Sequence, residues 1–485
     1  MLKIKTLFLI FLSSSSFSFA QNCTCESNFQ WVKKTFEEND AGYQYMIDKK
    51  GIPAYQAHNN EFLSKIKNVK SDTECQQTLY EWLKFFRSGH ISIKMIEKDN
   101  QQAQPQPAVS AIDSKTETVK LDLKKFEKEV VSKKDTDIEG IWEVDPYTIG
   151  IKKFGDVYKG FIIKSGAENW KPYELKLTFN DDKTKGTYYL RNKTGQEIHN
   201  MRLVGKNYLE INDFTMKRVS PKFEKEEGIE TYYQAILAQK PFLKELNKTT
   251  LLLRIPSFNG ALKKDIDSVI TANQSKIEST EILIIDIRYN GGGSDNSFSK
   301  IIPYLYTNPI RSVRTQLYST KLNNQRMLDF YDNYQKYGMP VEEREYLKKA
   351  YDKLSKNLGK FVSLQDDGKT VGITKMDKIS PYPKNVGIII NDGNGSTAEE
   401  FLLATKQSKK VKLFGTTTAG VLDISNMYFV NSPCNEFKLG YSLSKSFRIP
   451  DMAIDGKGIQ PDYFIDKTIP DYQWIDFVND VLNEK

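Results

Sequence analysis

Apolar residues recur at three- and four-residue intervals between Ser27 and Met95, with Trp31 and Phe36 in FQWVKKTFEEN and Leu79, Trp82, Leu83 and Phe86 in CQQTLYEWLKFF. That spacing predicts amphipathic helices. Gly89 is the expected stop of the second, and His90-Ile91-Ser92-Ile93 then alternates as a short strand does. From Ile138 to Arg218 the period changes to two, with many Tyr, Ile and Phe between Gly, Asn and Asp turns, which predicts an antiparallel β domain. From Thr249 onward the pattern becomes strand, helix, strand: TLLLRIPSF, LKKDIDSVITANQSKI, then EILIIDIRYNGGG running into another helix. The unbroken run Val386 to Ile390 predicts a strand buried on both faces of a parallel sheet. Gly393 and Gly395 end that run, and Ser396 with Glu399 forms a capping box that opens a helix bearing Ala398, Phe401, Leu402 and Thr405. The following KVKLFG is a further strand.

These changes of period divide the chain. The expected class is multidomain α+β, with an N-terminal helical domain and linker carrying His90 at 21–135, an antiparallel β domain at 136–222 and an α/β domain at 223–485. The linker is the Pro/Gln/Ala-rich stretch Asn100 to Ser114, followed by the lysine-rich KLDLKKFEKEVVSKK and a boundary near Asp135. Two strand–glycine turn–helix units, at Gly291 to Gly293 and Gly393 to Gly395, stand where open α/β sheets bind ligands, so both turns are expected to line one crevice. A charged, aromatic-rich helical insertion from Lys321 to Leu358 is a candidate cover for it. Neither turn has the spacing of a nucleotide-binding loop, and Asp295 beside the first would repel phosphate.

Composition narrows the classes. A chain of 485 residues, 39% hydrophobic and 27% charged, is long enough for several cored domains. Its net charge of +8 comes from 70 basic and 62 acidic residues mixed along the chain, which argues for a solvated surface and against a nucleic-acid partner. Met1 to Ala20 carries Lys3 and Lys5, a short apolar stretch and then Ser18-Phe19-Ala20, the form of a signal peptide cleaved near Ala20. No later stretch is a candidate membrane segment, so the expectation is an extracytoplasmic, periplasmic or secreted protein. In such a compartment Cys23, Cys25, Cys75 and Cys434 form disulfides, a bridge from the Cys23/Cys25 pair to Cys75 being one arrangement among those the sequence leaves open. His58, His90 and His199 do not stand at ligand spacing from a cysteine, and no metal or organic cofactor is expected.

Ser396 stands at a strand-to-helix turn, where a helix N-terminus stabilises an oxyanion. The same placement serves a simple helix cap, and a histidine at a helix-to-strand junction, such as His90, is more often structural than catalytic. The combination of LIIDIRYNGGG, GSTAEEF, GTTTAG and DGKGIQPD, in that order, resembles the S41 family of serine peptidases, whose members include the C-terminal processing and tricorn-type enzymes. The similarity covers Thr249 to Asp466 and extends to FRSGH near the N-terminus. It implies a ClpP/crotonase-like α/β core, a peptide or protein substrate lying extended along the sheet, and Ser396 as nucleophile, with the backbone N–H groups of Gly293 and Thr397 as the oxyanion hole. The lysine base of the processing enzymes is absent, because Val421 follows Thr418-Ala419-Gly420. The tricorn pattern instead implies His90 as base and Asp455 in place of an orienting glutamate, with Gly89 where an accessory serine would stand. No PDZ-like segment is recognisable. The resemblance therefore implies a Ser396–His90–Asp455 endopeptidase, and the residues leave two alternatives open: a silent binding protein on the same fold, and an esterase-like hydrolase.

Overall fold

The computed structural model describes residues 23–96, 117–134, 137–335, 339 and 341–484. Met1 to Ala20, the Pro/Gln-rich stretch Asn100 to Ser114 and the boundary at Asp135 lie outside them. The described residues form two compact units, one within 1–98 and 240–464, the other within 99–239 and 465–485.

In the first unit, among the described residues, a six-stranded sheet runs in the order Phe242–Glu245, Thr250–Arg254, Ile282–Asp286, Asn385–Ile390, Val411–Gly415 and Tyr463–Phe464. The first strand is antiparallel to its neighbour and the remaining pairs are parallel. Thr250–Arg254 and Ile282–Asp286 are buried along their whole length, the apolar runs Leu251–Leu253 and Ile282–Ile285 filling the interior while Arg254 and Asp286 at the strand ends form a buried ion pair at 3.2 Å. Leu251, Leu253, Leu283, Ile285, Val386, Ile388 and Leu413 share a core with Ile266 and Ile270 of the helix Lys263–Ala272 and with Phe401 and Leu402 of the helix Thr397–Thr405.

A second sheet in this unit is built on the long strand Phe437–Ser446, which pairs antiparallel with Ser92–Met95, Thr315–Tyr318 and Ile424–Asn431. The N-terminal helices Cys25–Asn39, Tyr43–Lys50, Ile52–Ile66 and Asp72–Leu83 do not close a core of their own. Phe29, Phe36, Leu79, Trp82 and Phe86 pack together with Leu439, Tyr441 and Leu443 of that strand. The insertion helices Lys321–Asp332 and Glu342–Ser355 join the same core through Met327, Leu347, Ala350 and Leu354, which is where their apolar faces are satisfied. Disulfides Cys25–Cys75 and Cys23–Cys434 both hold the start of the first helix, one to the helix Asp72–Leu83 and the other to the turn before Phe437–Ser446.

The second unit is a nine-stranded antiparallel sheet between Gly140 and Ser220, in agreement with the alternating pattern read there. Trp142, Ile149, Ile151, Leu177, Phe179, Leu209 and Met216 fill one face, and the helix Leu123–Val131 covers Phe161 and Leu175 with Phe126 and Val130. The helices Glu227–Ile236 and Trp474–Asn483 belong to this unit as well.

Candidate active site

The strand Asn385–Ile390 and its parallel neighbour Ile282–Asp286 both end in turns, and three asparagines staple those turns together. Asn391 Oδ1 accepts the N–H groups of Tyr289 (2.9 Å) and Gly393 (3.2 Å). Buried Asn394 donates to the carbonyls of Ile287 and Asn290, and Asn290 Oδ1 accepts from Phe258 and Gly292. The glycines follow from the closeness this produces. A Cβ on Gly292 would stand 2.7 Å from the Gly395 carbonyl and 2.8 Å from the Thr397 nitrogen, and one on Gly293 would stand 2.3 Å from the Phe258 carbonyl. Both take positive φ, 103° and 148°.

Ser396 follows with φ 55° and ψ −124°, a conformation rare outside glycine and the kind of strain that collects at functional sites. Its N–H donates to Glu399 Oε2 at 3.2 Å. The buried Glu399 carboxylate also accepts from Thr418 Oγ1, Gly420 N–H and Val421 N–H, at 2.6, 2.7 and 2.9 Å. Glu399 thus holds the Thr418–Val421 loop against the serine turn. Neither Gly293 N–H nor Thr397 N–H meets an acceptor among the described residues, so the two adjacent turns offer a pair of open donors beside Ser396.

The Ser396 hydroxyl lies 3.1 Å from His90 Nε2, across 306 positions of sequence. The pairing of Ser92 with Gly440 brings His90 here. Its segment is further held by Arg87, which donates to the His90 carbonyl at 3.0 Å and forms a buried ion pair with Asp40. Asp40 in turn accepts the Ser442 N–H at 3.0 Å. The other imidazole nitrogen, Nδ1, is 2.8 Å from the carbonyl of Ile424. A carbonyl only accepts, so Nδ1 carries the proton and Nε2 presents its lone pair to the serine. Burial, aided by the Arg87 charge and opposed by the Ile424 carbonyl, holds the imidazole pKa below its usual 6.5. Of the other histidines, His58 is bonded to the Trp82 carbonyl and His199 is exposed.

Among the described residues, no hydrogen bond joins Asp455 to the imidazole. Its oxygens accept the N–H groups of Leu422, Asp423 and Ile424 at 2.7, 2.6 and 3.1 Å, and the Asp455 N–H donates back to Asp423 at 2.9 Å. It grips the peptide segment whose last carbonyl holds His90. Burial, with the nearby Asp423 charge, pushes the Asp455 carboxyl up to about 6 against the pull of those N–H groups. Arg448 Nε donates to Asp423 and completes the knot at 2.6 Å. Gly420 of GTTTAG and Gly458 of DGKGIQPD are there because these loops meet backbone to backbone: a Cβ on Gly420 would lie 2.5 Å from the Gly458 nitrogen, and one on Gly458 would lie 2.2 Å from the Thr418 carbonyl oxygen.

The structure places the Ser396 hydroxyl against His90 and the glycine turn of Gly292 and Gly293 against Ser396 and Thr397, and Asp455 lies one peptide removed from the imidazole. The sequence reading missed the Ile424 carbonyl, which no side-chain motif can announce, and Asp40, which lies in a helix terminus without distinguishing pattern. Glu399 was legible only as a helix cap. Among the described residues, no group of His, Cys, Asp and Glu could hold a metal ion.

A model of peptidase family S41 matches residues 249–465. An uncharacterised protein of Chlamydia muridarum (strain MoPn / Nigg) is 25% identical over 255 residues, which is 46% of this chain and 42% of the relative, so the chain spans less than half the length of the curated relative it matches. Among solved structures, mature CPAF complexed with lactacystin has a TM-score of 0.51 at 13% identity and covers 94% of this chain and 98% of its own. Mature CPAF alone gives the same score and identity, with 94% and 96% covered. At such identity these two structures speak for the fold. The match over residues 249–465 takes in both turns around Ser396, and over that stretch the chain is similar to peptidase family S41.

Proposed function

We propose that the protein is an exported serine peptidase in which Ser396 is the nucleophile and His90 the general base. The observation that carries this reading is the 3.1 Å contact between Ser396 Oγ and a His90 Nε2 whose tautomer the Ile424 carbonyl selects. As Oγ bonds to the scissile carbonyl carbon, Nε2 takes its proton, and the negative charge that develops on the carbonyl oxygen is met by the N–H groups of Gly293 and Thr397. When the tetrahedral centre collapses, the C–N bond breaks and Nε2–H protonates the departing amine. Water then attacks the acyl-enzyme with Nε2 again as base. Asp455 serves this cycle through the backbone, by fixing the Leu422–Ile424 segment that orients the ring.

Export is supported by the signal-like Met1 to Ala20 segment and by disulfide pairing of all four cysteines, which persists in oxidising compartments. No helix among the described residues is long and apolar enough to cross a membrane. The test is labelling with a serine-directed phosphonate followed by peptide mapping, beside hydrolysis of a peptide library. Ser396 should carry the label, and Ser396→Ala and His90→Ala should each lose activity by orders of magnitude, with the double variant little worse than either. Neither label nor cleavage in the unmodified protein would leave a silent binding fold. Ester turnover without peptide cleavage would favour the esterase-like alternative.

A further inference from the structure

The glycine turn beside Ser396 runs into a carboxylate whose charge the fold does not use. Asp295 opens the short helical turn Asp295–Phe298, and Phe298 seats that turn by packing its ring against Phe258 and Phe401. The Ser297 N–H donates back to the Ser294 carbonyl at 2.9 Å, so the backbone under Asp295 is fixed. Among the described residues, its carboxylate accepts one hydrogen bond, from the Thr397 hydroxyl to Oδ1 at 2.9 Å, and Oδ2 is left open. Thr397 follows the nucleophile and its N–H is one of the two open donors, so this carboxylate stands one side chain away from the place where an oxyanion would develop. Among the described residues no lysine or arginine pairs with it. Arg448 is committed to Asp423 at 2.6 Å and to Glu400 at 3.6 Å, and Glu400 itself meets Asp295 as a like charge. Asp295 is exposed, yet the atoms crowded round its carboxyl raise its pKa by stripping water from it, which describes a group on the wall of a hollow. Holding the Thr397 hydroxyl requires an acceptor and no charge, which asparagine would supply. The charge opposes an oxyanion by like-charge repulsion, so a cation is called for, and the protein does not provide it.

We infer that Asp295 is a specificity-determining residue that pairs with a cationic group of the substrate close to the scissile bond, either the side chain of a lysine or arginine or a free α-amine. The inference rests on the peptidase reading of Ser396 and adds the substrate class to it. A docked ammonium or guanidinium donates a charge-assisted hydrogen bond to the open Oδ2 and at the same time cancels the repulsion that the carboxylate exerts on the oxyanion. For a pair of unit charges in a hollow still reached by water, the two effects correspond to a discrimination on the order of tenfold.

The experiment compares full-length wild type with Asp295→Asn, which keeps an acceptor for the Thr397 hydroxyl and removes the charge alone. One set of end-capped peptides differs only by lysine against norleucine at each position flanking the cleaved bond, and a second set differs only by a free against an acetylated N-terminus. The readout is the ratio of kcat/KM within each pair, which does not depend on how much of either protein is folded. In one set the wild type should prefer the cationic member, and that set names the source of the cation. Asp295→Asn should reduce the ratio about tenfold, partly by cleaving the neutral peptide faster than wild type does. A ratio unchanged by the substitution overturns the inference, and so does an equal change in rate on both members of every pair, which would mean that Asp295 only supports the Thr397 turn. A wild type that takes up the serine probe yet shows no cationic preference in either set sinks the pairing alone. A wild type that neither cleaves nor is labelled sinks the peptidase reading, and the pairing with it.

Discussion

Gly89 offers a direct test of how the proposed base is placed, because the structure leaves no room for a side chain there. An alanine Cβ at this position would lie 2.4 Å from Val421 Cγ1 and 2.6 Å from Val421 Cβ. Carbon atoms pack at roughly 3.5–4.0 Å, so one partner has to move by about 1 Å. Val421 is poorly able to yield: its N–H is bonded to Glu399, and on its far side Cγ2 is 2.7 Å from where a Cβ on Gly395 would be. The movement falls on the segment that ends in His90, and it lengthens the 3.1 Å contact with Ser396. Overpacking of this size costs about 1–3 kcal/mol of stability, and a shift of about 1 Å at a reacting pair costs about a hundredfold in rate. Gly89→Ala should therefore lower kcat far more than it lowers the folded fraction at the assay temperature, measured by peptide hydrolysis beside a melt. Val421→Gly in the same chain should restore most of the rate. Val421→Ala should restore less, since the overlap with Cβ remains. A Gly89→Ala variant with wild-type kcat and Tm would falsify the argument.

Four further outcomes follow from the site and its supports. Because His90 must be neutral to accept the serine proton and its pKa is lowered by burial, kcat/KM should fall off on the acid side below pH 6.5; a limb centred at or above 6.5 would contradict the buried, carbonyl-bound ring. Asp455, pushed up to about 6 from its ordinary 3.8, keeps a proton in the folded chain that the unfolded chain has released between those values, so its contribution to stability falls as pH rises through that window; denaturation at pH 4 to 6.5 should show wild type losing ground to Asp455→Asn by about 2–3 kcal/mol. The same variant places an amide NH2 against a backbone N–H of the Leu422–Ile424 segment and should lower kcat on the order of tenfold by displacing the Ile424 carbonyl, and equal kcat would count against Asp455 as a positioning residue. Removing the Cys25–Cys75 bridge with Cys25→Ala/Cys75→Ala frees a loop of 50 residues' separation and should cost about 4 kcal/mol on a chain-entropy estimate, read as a lower Tm, whereas an unchanged melt would show the helices to be held by packing alone.

Much of the fold was written in local pattern. The unbroken run Val386–Ile390 could only satisfy itself in a sheet interior, the two-residue period after Ile138 could only form antiparallel strands with one covered face, and Gly292, Gly293 and Gly395 marked the turns where backbones had to touch. Ser396 was legible because its chemistry and its helix start lie within a few residues of each other. His90 was legible as a base only through resemblance to a family, since the 306 positions between it and Ser396 are closed by the pairing of Ser92 with Gly440, a long-range choice that no window of sequence contains. The helical N-terminal pattern was real, but whether those helices formed their own core or shared one with Leu439, Tyr441 and Leu443 depended on which apolar faces met. The orienting group escaped the sequence for a related reason. Every residue has a carbonyl, so Ile424 is marked by nothing in its identity, and the distance from Asp455 to the ring is set by packing in three dimensions, which put a peptide segment between the carboxylate and the histidine it had been expected to touch.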